Sequence, residues 1–261
     1  MIYSKKSLGQ NFLKDKNIIK KIVNLKNIKN KNVIEVGPGK GALTNEILSR
    51  KPKSLILIEK DFQLSQLLKN KFKENKIVKI YCEDILRFNF KKIDLKNFVV
   101  FGNLPYNISS QILIKFIKID NLFFKFSDLI FMFQKELGDK ILGIYPSYHY
   151  GRLSIIRNYK LKPINNFFVS PNCFSPKPKV TSIVIHFQPK QIENIKIKKM
   201  SNLEKITNIF FSNKRKMINK NIRKILDDNK IRKIKELKLD ERPSDLKPEI
   251  YYKITELYEK S

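Results

Sequence analysis

From Asn32 to Phe133 one rhythm repeats: a short apolar run, then a longer stretch with apolar residues at helical spacing. The runs are Asn32–Val36, Ser54–Ile58, Ile77–Cys82, Phe98–Phe101 and Leu129–Phe133. The stretches between them include Ala42–Ser49, Phe62–Phe72 and Ile108–Ile119, and upstream Asp15 is placed to cap a helix carrying Ile18, Ile19, Ile22 and Val23. Most of these runs are continuous and β-branched, so they leave no face for water. Buried strands separated by helices demand a parallel sheet covered on both faces, an α/β fold.

The rhythm then stops. Thr181–Phe187 reads as a last strand, Pro189 follows, and beyond it only helices are expected, over Leu203–Phe211, Met217–Leu226, Ile231–Leu237 and Glu249–Tyr258. This predicts two domains, 1–189 and a small all-helical 190–261. Charge follows the same division. The chain carries a formal +30, part of which is a Lys, Ile and Asn bias spread throughout. From Lys190 to Leu239, however, 16 basic residues face 5 acidic ones, an excess beyond that bias. A protein this basic seeks polyanions, either nucleic acid or an anionic surface. Lys214, Arg215, Lys216, Lys220, Arg223 and Lys224 are the candidate RNA contacts; they would bind phosphates and position RNA without reading its sequence. The competing reading is a solvated face that is basic from composition alone.

Several classes are excluded. Cys82 and Cys173 cannot build a disulfide framework, and with His149 and His186 they offer no metal site. No run reaches the ~20 apolar residues of a membrane span, and Met1–Leu8 carries no export signal, so a reducing, cytoplasmic compartment and no membrane are expected.

Glu35-Val-Gly-Pro-Gly-Lys-Gly41 joins the first strand to its helix. Glycines at 37, 39 and 41 let backbone approach a ligand closely. Alone, the loop fits a nucleotide cradle or an ordinary tight turn. Its spacing departs from the dinucleotide fingerprint: the third glycine comes one residue early and Pro38 intervenes. S-adenosylmethionine, which has no phosphate, needs only close backbone contact. Glu59 ends the second strand, placed to accept from both ribose hydroxyls, and Asp84 follows the third, placed to accept from an adenine amine. The alternative for both acids is helix capping.

Asn103-Leu-Pro-Tyr106 follows the fourth strand. An adenine amine is a poor nucleophile because its lone pair is delocalised into the ring. The Asn103 side-chain oxygen and the Leu104 carbonyl can accept its two N–H bonds and localise that pair. Pro105 restricts the loop and removes a competing donor. Tyr106 offers a ring for a base extruded from its stack. The alternative is an Asx turn capping the helix at Ile108.

Together these residues resemble the bacterial small-subunit rRNA adenine N6,N6-dimethyltransferases. The resemblance rests on Leu8-Gly-Gln-Asn-Phe-Leu13, Glu35-Val-Gly-Pro-Gly39, Ile58-Glu59, Glu83-Asp84, Asn103-Leu-Pro-Tyr-Asn-Ile-Ser109, Gln134-Lys-Glu136, Tyr150-Gly-Arg-Leu-Ser154 and Phe174-Ser-Pro-Lys-Pro-Lys-Val-Thr-Ser182. It implies a class I, Rossmann-like methyltransferase fold with a mostly parallel seven-stranded sheet and one antiparallel strand. It implies S-adenosylmethionine held by Gly37, Gly39, Glu59, Asp84 and Asn103, with Asn11 and Leu13 closing over it and no metal. Phe174 would stack on the target adenine opposite Tyr106. The substrate would be two adjacent adenines near the 3′ end of small-subunit rRNA, each methylated twice, within an immature 30S particle, by a monomer that also serves as an assembly checkpoint. Lys40 departs from the family pattern, which has a smaller or apolar residue there.

Two other readings share these features. One is a large-subunit rRNA adenine methyltransferase of the macrolide-resistance type, against which Leu104 and Tyr150-Gly-Arg-Leu-Ser154 weigh. The other is a non-catalytic assembly factor on a retained scaffold, against which Glu59, Asp84 and Asn103 weigh.

Overall fold

The structure, a computed structural model, describes residues 11–192 and 195–260. Leu8, Gly9 and Gln10 of the N-terminal motif lie outside them. The chain forms two compact units, one built from residues up to Gly138 together with Pro163–Pro189, the other from Asp139–Lys162 together with the chain from Lys190 onward. The expected division at 189/190 therefore needs correction: residues 139–162 group with the tail.

In the first unit β1 (Phe12–Leu13), α1 (Lys16–Val23), β2 (Asn32–Val36), α2 (Ala42–Ser49), β3 (Ser54–Glu59), α3 (Phe62–Lys71), β4 (Val78–Cys82), β5 (Phe98–Asn103), α4 (Ser109–Ile117), α5 (Leu122–Lys125) and β6 (Phe126–Gln134) follow in order. The chain runs on through α6 (Lys135–Leu142) and α7 (Arg152–Lys160) and returns in β7 (Leu161–Val169), β8 (Phe174–Ser175) and β9 (Ser182–Pro189). Seven strands form one sheet in the order β4-β3-β2-β5-β6-β9-β7, parallel from β4 to β6, with β9 antiparallel to β6. Asp15 caps α1 as expected, its Oδ1 accepting from the Asn17 and Ile18 N–H groups.

Both faces of the sheet are buried, as continuous runs require. Val33, Leu55, Leu57, Val99, Phe101 and Met132 pack on one face with Ile19, Ile22 and Val23 of α1 and Leu43 and Ile47 of α2. Phe116, Phe126 and Phe131 meet edge-on or tilted in a separate buried aromatic cluster. The sequence gives no sign of β7, since Pro163, Asn165 and Asn166 resemble a turn. Proline cannot donate to a ladder, but β7 ends the strand order, where an unpaired backbone edge accommodates it.

In the second unit α7 packs against α8 (Met200–Phe211) and α11 (Pro248–Tyr258), with α9 (Asn219–Ile222) and α10 (Asp228–Arg232) between them in sequence. The bonds explain why residues 139–162 belong here. Tyr252 Oη donates to the Ile155 carbonyl at 3.0 Å, and Tyr150 Oη donates to the Leu246 carbonyl at 2.7 Å. Within residues 139–162 themselves the buried Arg157 guanidinium donates to the Ile141 carbonyl at 3.0 Å, joining α7 to the end of α6. Two expected helices are shorter than their periodicity suggested. The Ile218 and Asn219 N–H groups donate to the Glu241 and Leu239 carbonyls, which delays α9, and Asp227 caps α10 ahead of Ile231 through the Lys230 N–H.

Candidate functional site

Strand register brings the polar residues to one place. Glu35 lies beside Leu57 on β3 and beside Phe101 on β5. Side chains alternate along a strand, so Glu59 and Asn103, each two residues further on, share the face of Glu35. All three line one cavity of about 500 Å³ within the first unit, together with Asn11, Leu13, Gly37, Gly39 and Asp84. Gly37 and Gly39 adopt φ of 66° and 58°, in the left-handed region. A Cβ on Gly39 would meet the Phe12 ring at 2.9 Å, so only glycine lets the loop lie under that ring.

The three acids differ in surroundings. Glu59 is 6% exposed; its Oε2 accepts from the Gly39 N–H at 3.1 Å and its Oε1 from the Asp61 N–H at 2.9 Å. Asp61, not Glu59, caps α3. Burial pushes the Glu59 carboxyl above the usual carboxylate range, opposed by those N–H bonds. Glu35 is 1% exposed, and its carboxylate accepts from Thr44 Oγ1 at 2.6 Å. Burial pushes it up to about 8, opposed by Thr44 and reinforced by Glu59. Asp84 is more open. Burial acts to raise it, but Lys60 Nζ at 2.8 Å and the Leu86 N–H at 2.9 Å hold it below the usual range. Asp84 thus caps the turn that follows it and also lines the cavity.

The Asn103–Tyr106 loop closes another wall. Asn103 does not cap α4, whose start at Ile108 has no side-chain bond. Its Nδ2 donates to the Asn11 carbonyl at 2.9 Å, leaving Oδ1 with no donor among the described residues. Tyr106 Oη lies 2.5 Å from Ser182 Oγ on β9, which fixes the ring, and Leu104 and Pro105 line the cavity beside it.

Phe174 requires a correction. It is 1% exposed, packs in the core and does not line the cavity. In the antiparallel pairing of β1 with β8, Leu13 stands opposite Phe174 and Phe12 opposite Ser175. Partners share a side of the ladder, so Leu13 and Phe174 pack together in the core, Leu13 also reaching the cavity wall, while Phe12 and Ser175 line the cavity from the other side. The aromatic ring at the cavity from this ladder is therefore Phe12, with Lys40 Nζ 5.0 Å from its centroid. Phe12 and Glu35 had no assigned role in the sequence. The signal for Glu35 was a carboxylate inside an otherwise apolar strand.

In the second unit Lys214, Arg215, Lys216, Lys220, Arg223 and Lys224 are all exposed. Arg223 pairs with Asp228 at 3.4 Å. Lys214, Arg215 and Lys216 have no ion pair among the described residues, and the neighbouring Met217 is 55% exposed. Among the described residues no helix is long and apolar enough to cross a membrane, and no group of three His, Cys, Asp or Glu side chains is placed to hold a metal.

Comparison with known proteins bears on this arrangement. The profile of the family described as ribosomal RNA adenine dimethylase matches residues 2–260. A ribosomal RNA small subunit methyltransferase A of Pelagibacter ubique is 44% identical over 259 residues, 99% of this chain and 98% of that one. A crystal structure of a dimethyladenosine transferase from Plasmodium falciparum superposes with TM-score 0.72 at 25% identity, covering 93% of this chain and 95% of that one. The 23S rRNA methyltransferase ErmE shares the fold, with TM-score 0.69 at 19% identity over 95% of this chain and all of that one.

Proposed function

The chain belongs to the ribosomal RNA adenine dimethylase family, and from that premise we propose how its residues carry out the family's reaction. The enzyme dimethylates adenine in small-subunit rRNA with S-adenosylmethionine as methyl donor. The target is two adjacent adenines near the 3′ end. The enzyme acts as a monomer on an immature 30S particle in the cytoplasm, where it also serves as an assembly checkpoint.

The cavity residues fit the cofactor. The backbone from Gly37 to Gly39 gives close approach without a Cβ, and Glu59 keeps lone pairs for ribose hydroxyls beyond the two N–H bonds it holds. Asp84 accepts from the adenine amine, and Asn11, Phe12 and Leu13 cover the cavity. S-adenosylmethionine supplies an electrophilic methyl group on a sulfonium. The chain supplies position and dipoles. Asn103 Oδ1 and the Leu104 carbonyl accept the two N–H bonds of the target amine. Tyr106, held by Ser182, stacks on the extruded base. No general base is required, because the methylated amine is acidic and loses its proton readily. In the second unit Lys214, Arg215, Lys216, Lys220, Arg223 and Lys224 hold rRNA phosphates, and the helical tail is the rRNA-binding part of the chain.

The observation that carries this reading is Asn103, whose amide is tied by its nitrogen and free at its oxygen on the wall of the cavity shared with Glu59 and Asp84. The test is mass spectrometry of rRNA after incubation of the protein with immature small subunits and S-adenosylmethionine. Dimethyladenosine at two adjacent positions near the 3′ end of small-subunit rRNA is expected. Methylation confined to large-subunit rRNA, or none, overturns the reading.

A further inference from the structure

We propose that the backbone carbonyl of Asn11 is the positioning group for the Asn103 amide, so that base activation is available only while the 11–13 segment is seated. The inference rests on the reading of Asn103 Oδ1 as an acceptor for the target amine. A carbonyl oxygen only accepts, so the end of the Asn103 amide that meets Asn11 at 2.9 Å is its NH₂ group. The oxygen is then the free end. Were the amide turned over, its two N–H donors would confront the two N–H donors of the base. The donated bond also polarises the amide and strengthens its oxygen as an acceptor.

Asn11 is itself held from elsewhere in the fold. Phe12 and Leu13 pair with Ser175 and Phe174, and Leu13 is buried in the core. The Phe12 ring rests on Gly39, and Lys40 Nζ lies 5.0 Å from it. The segment that covers the glycine loop therefore also sets the angle of the Asn103 amide, 92 residues away in sequence. One hydrogen bond links cover and chemistry. Seating the segment over the cofactor comes first, and a base entering before it meets an amide that is not fixed.

Full-length variants separate donor from acceptor. Asn103→Asp keeps an acceptor oxygen, and a stronger one, but loses the N–H that reaches Asn11. We expect its kcat at saturating cofactor to fall about tenfold, because small misplacements of reacting groups are costly. Phe12→Ala, which loosens the segment, should lower kcat by a similar factor with the KM for RNA unchanged. The two losses should not multiply, since the aspartate has no donor left to be held. A readout independent of turnover is the side-chain ¹⁵N amide signal of Asn103. Its protons should exchange slowly in the cofactor-free wild type and rapidly in Phe12→Ala. Full activity of Asn103→Asp, multiplicative losses in the double variant, or rapid exchange in the wild type would each overturn the proposal. Full activity of Asn103→Ala would instead remove the acceptor role on which it rests.

Discussion

The cavity of the first unit and the basic surface of the second are built in opposite ways. In the cavity Glu35, Glu59 and Asn103 are single residues set by strand register, buried or half-buried, and bonded to named partners. On the basic surface Lys214, Arg215 and Lys216 are exposed and unpaired among the described residues. Chemistry on one amine needs position, which a strand end provides. Holding a phosphate backbone needs charge density, which an exposed turn provides and which tolerates imprecision. The two regions should therefore fail differently. Loss of one cavity residue should act on turnover or cofactor binding, whereas loss of tail charges should act on RNA affinity and its salt dependence.

The sharpest contrast is expected at Asn103. Asn103→Ala should lower kcat by about 10²–10³-fold, the usual cost of removing a preorganised dipole at a reacting centre. RNA affinity should be unchanged, and the melting temperature should move by only about 2–4 °C for one lost hydrogen bond. Single-turnover methylation, filter binding and thermal melting together check this. A variant that loses RNA affinity as well would break the contrast. Glu59→Gln comes next. It removes the charge and one acceptor, and should weaken S-adenosylmethionine binding by about 10–100-fold in calorimetry while RNA affinity holds. Because Glu59 also anchors Gly39, an equal loss from Gly39→Ala would assign part of the effect to the loop rather than to the ligand.

The tail should respond in the other currency. Replacing Lys214, Arg215 and Lys216 with alanine together should raise the RNA KM about tenfold at moderate salt and leave kcat intact. Each lost phosphate contact should flatten the dependence of log affinity on log salt by about 1. An unchanged slope would mean that these charges merely face water.

The same contrast governs what the sequence reveals. Strands β2 to β6 were legible because a continuous apolar run between helices has one physical solution, and Glu59, Asp84 and Asn103 because each ends or follows such a run. Glu35 was hidden inside its strand, where only the register with Leu57 and Phe101 shows that it shares a face with Glu59. Phe174 was misplaced because a two-residue strand has no visible parity until its partner is known. Residues 139–162 were assigned to the wrong unit because periodicity reveals a helix without revealing what it packs on. The tail charges were legible only as composition, because an exposed lysine or arginine leaves no periodic or register signal.

Acidity supplies the last and smallest test, and it should touch the cavity alone. Glu35 keeps its proton up to about pH 8 in the folded cavity, chiefly through burial, whereas in the unfolded chain it releases it near its ordinary 4.5. Between these values the folded state binds more protons than the unfolded state, so stability falls as pH rises. This contribution is complete below pH 4.5 and gone above about pH 8. The cofactor-free protein should lose melting temperature from pH 6 to pH 8.5 relative to Glu35→Gln, which carries no proton to lose. The difference should be a few degrees, less than the full shift in acidity suggests, because Glu59 is coupled to the same charge. Neutralising the tail lysines should leave this difference untouched, since their ammonium groups stand in water. Parallel melting curves for wild type and Glu35→Gln across that range would show that Glu35 is already ionised. The cavity would then hold a buried negative charge at Glu35, and the field around the methyl donor would have to be redrawn accordingly.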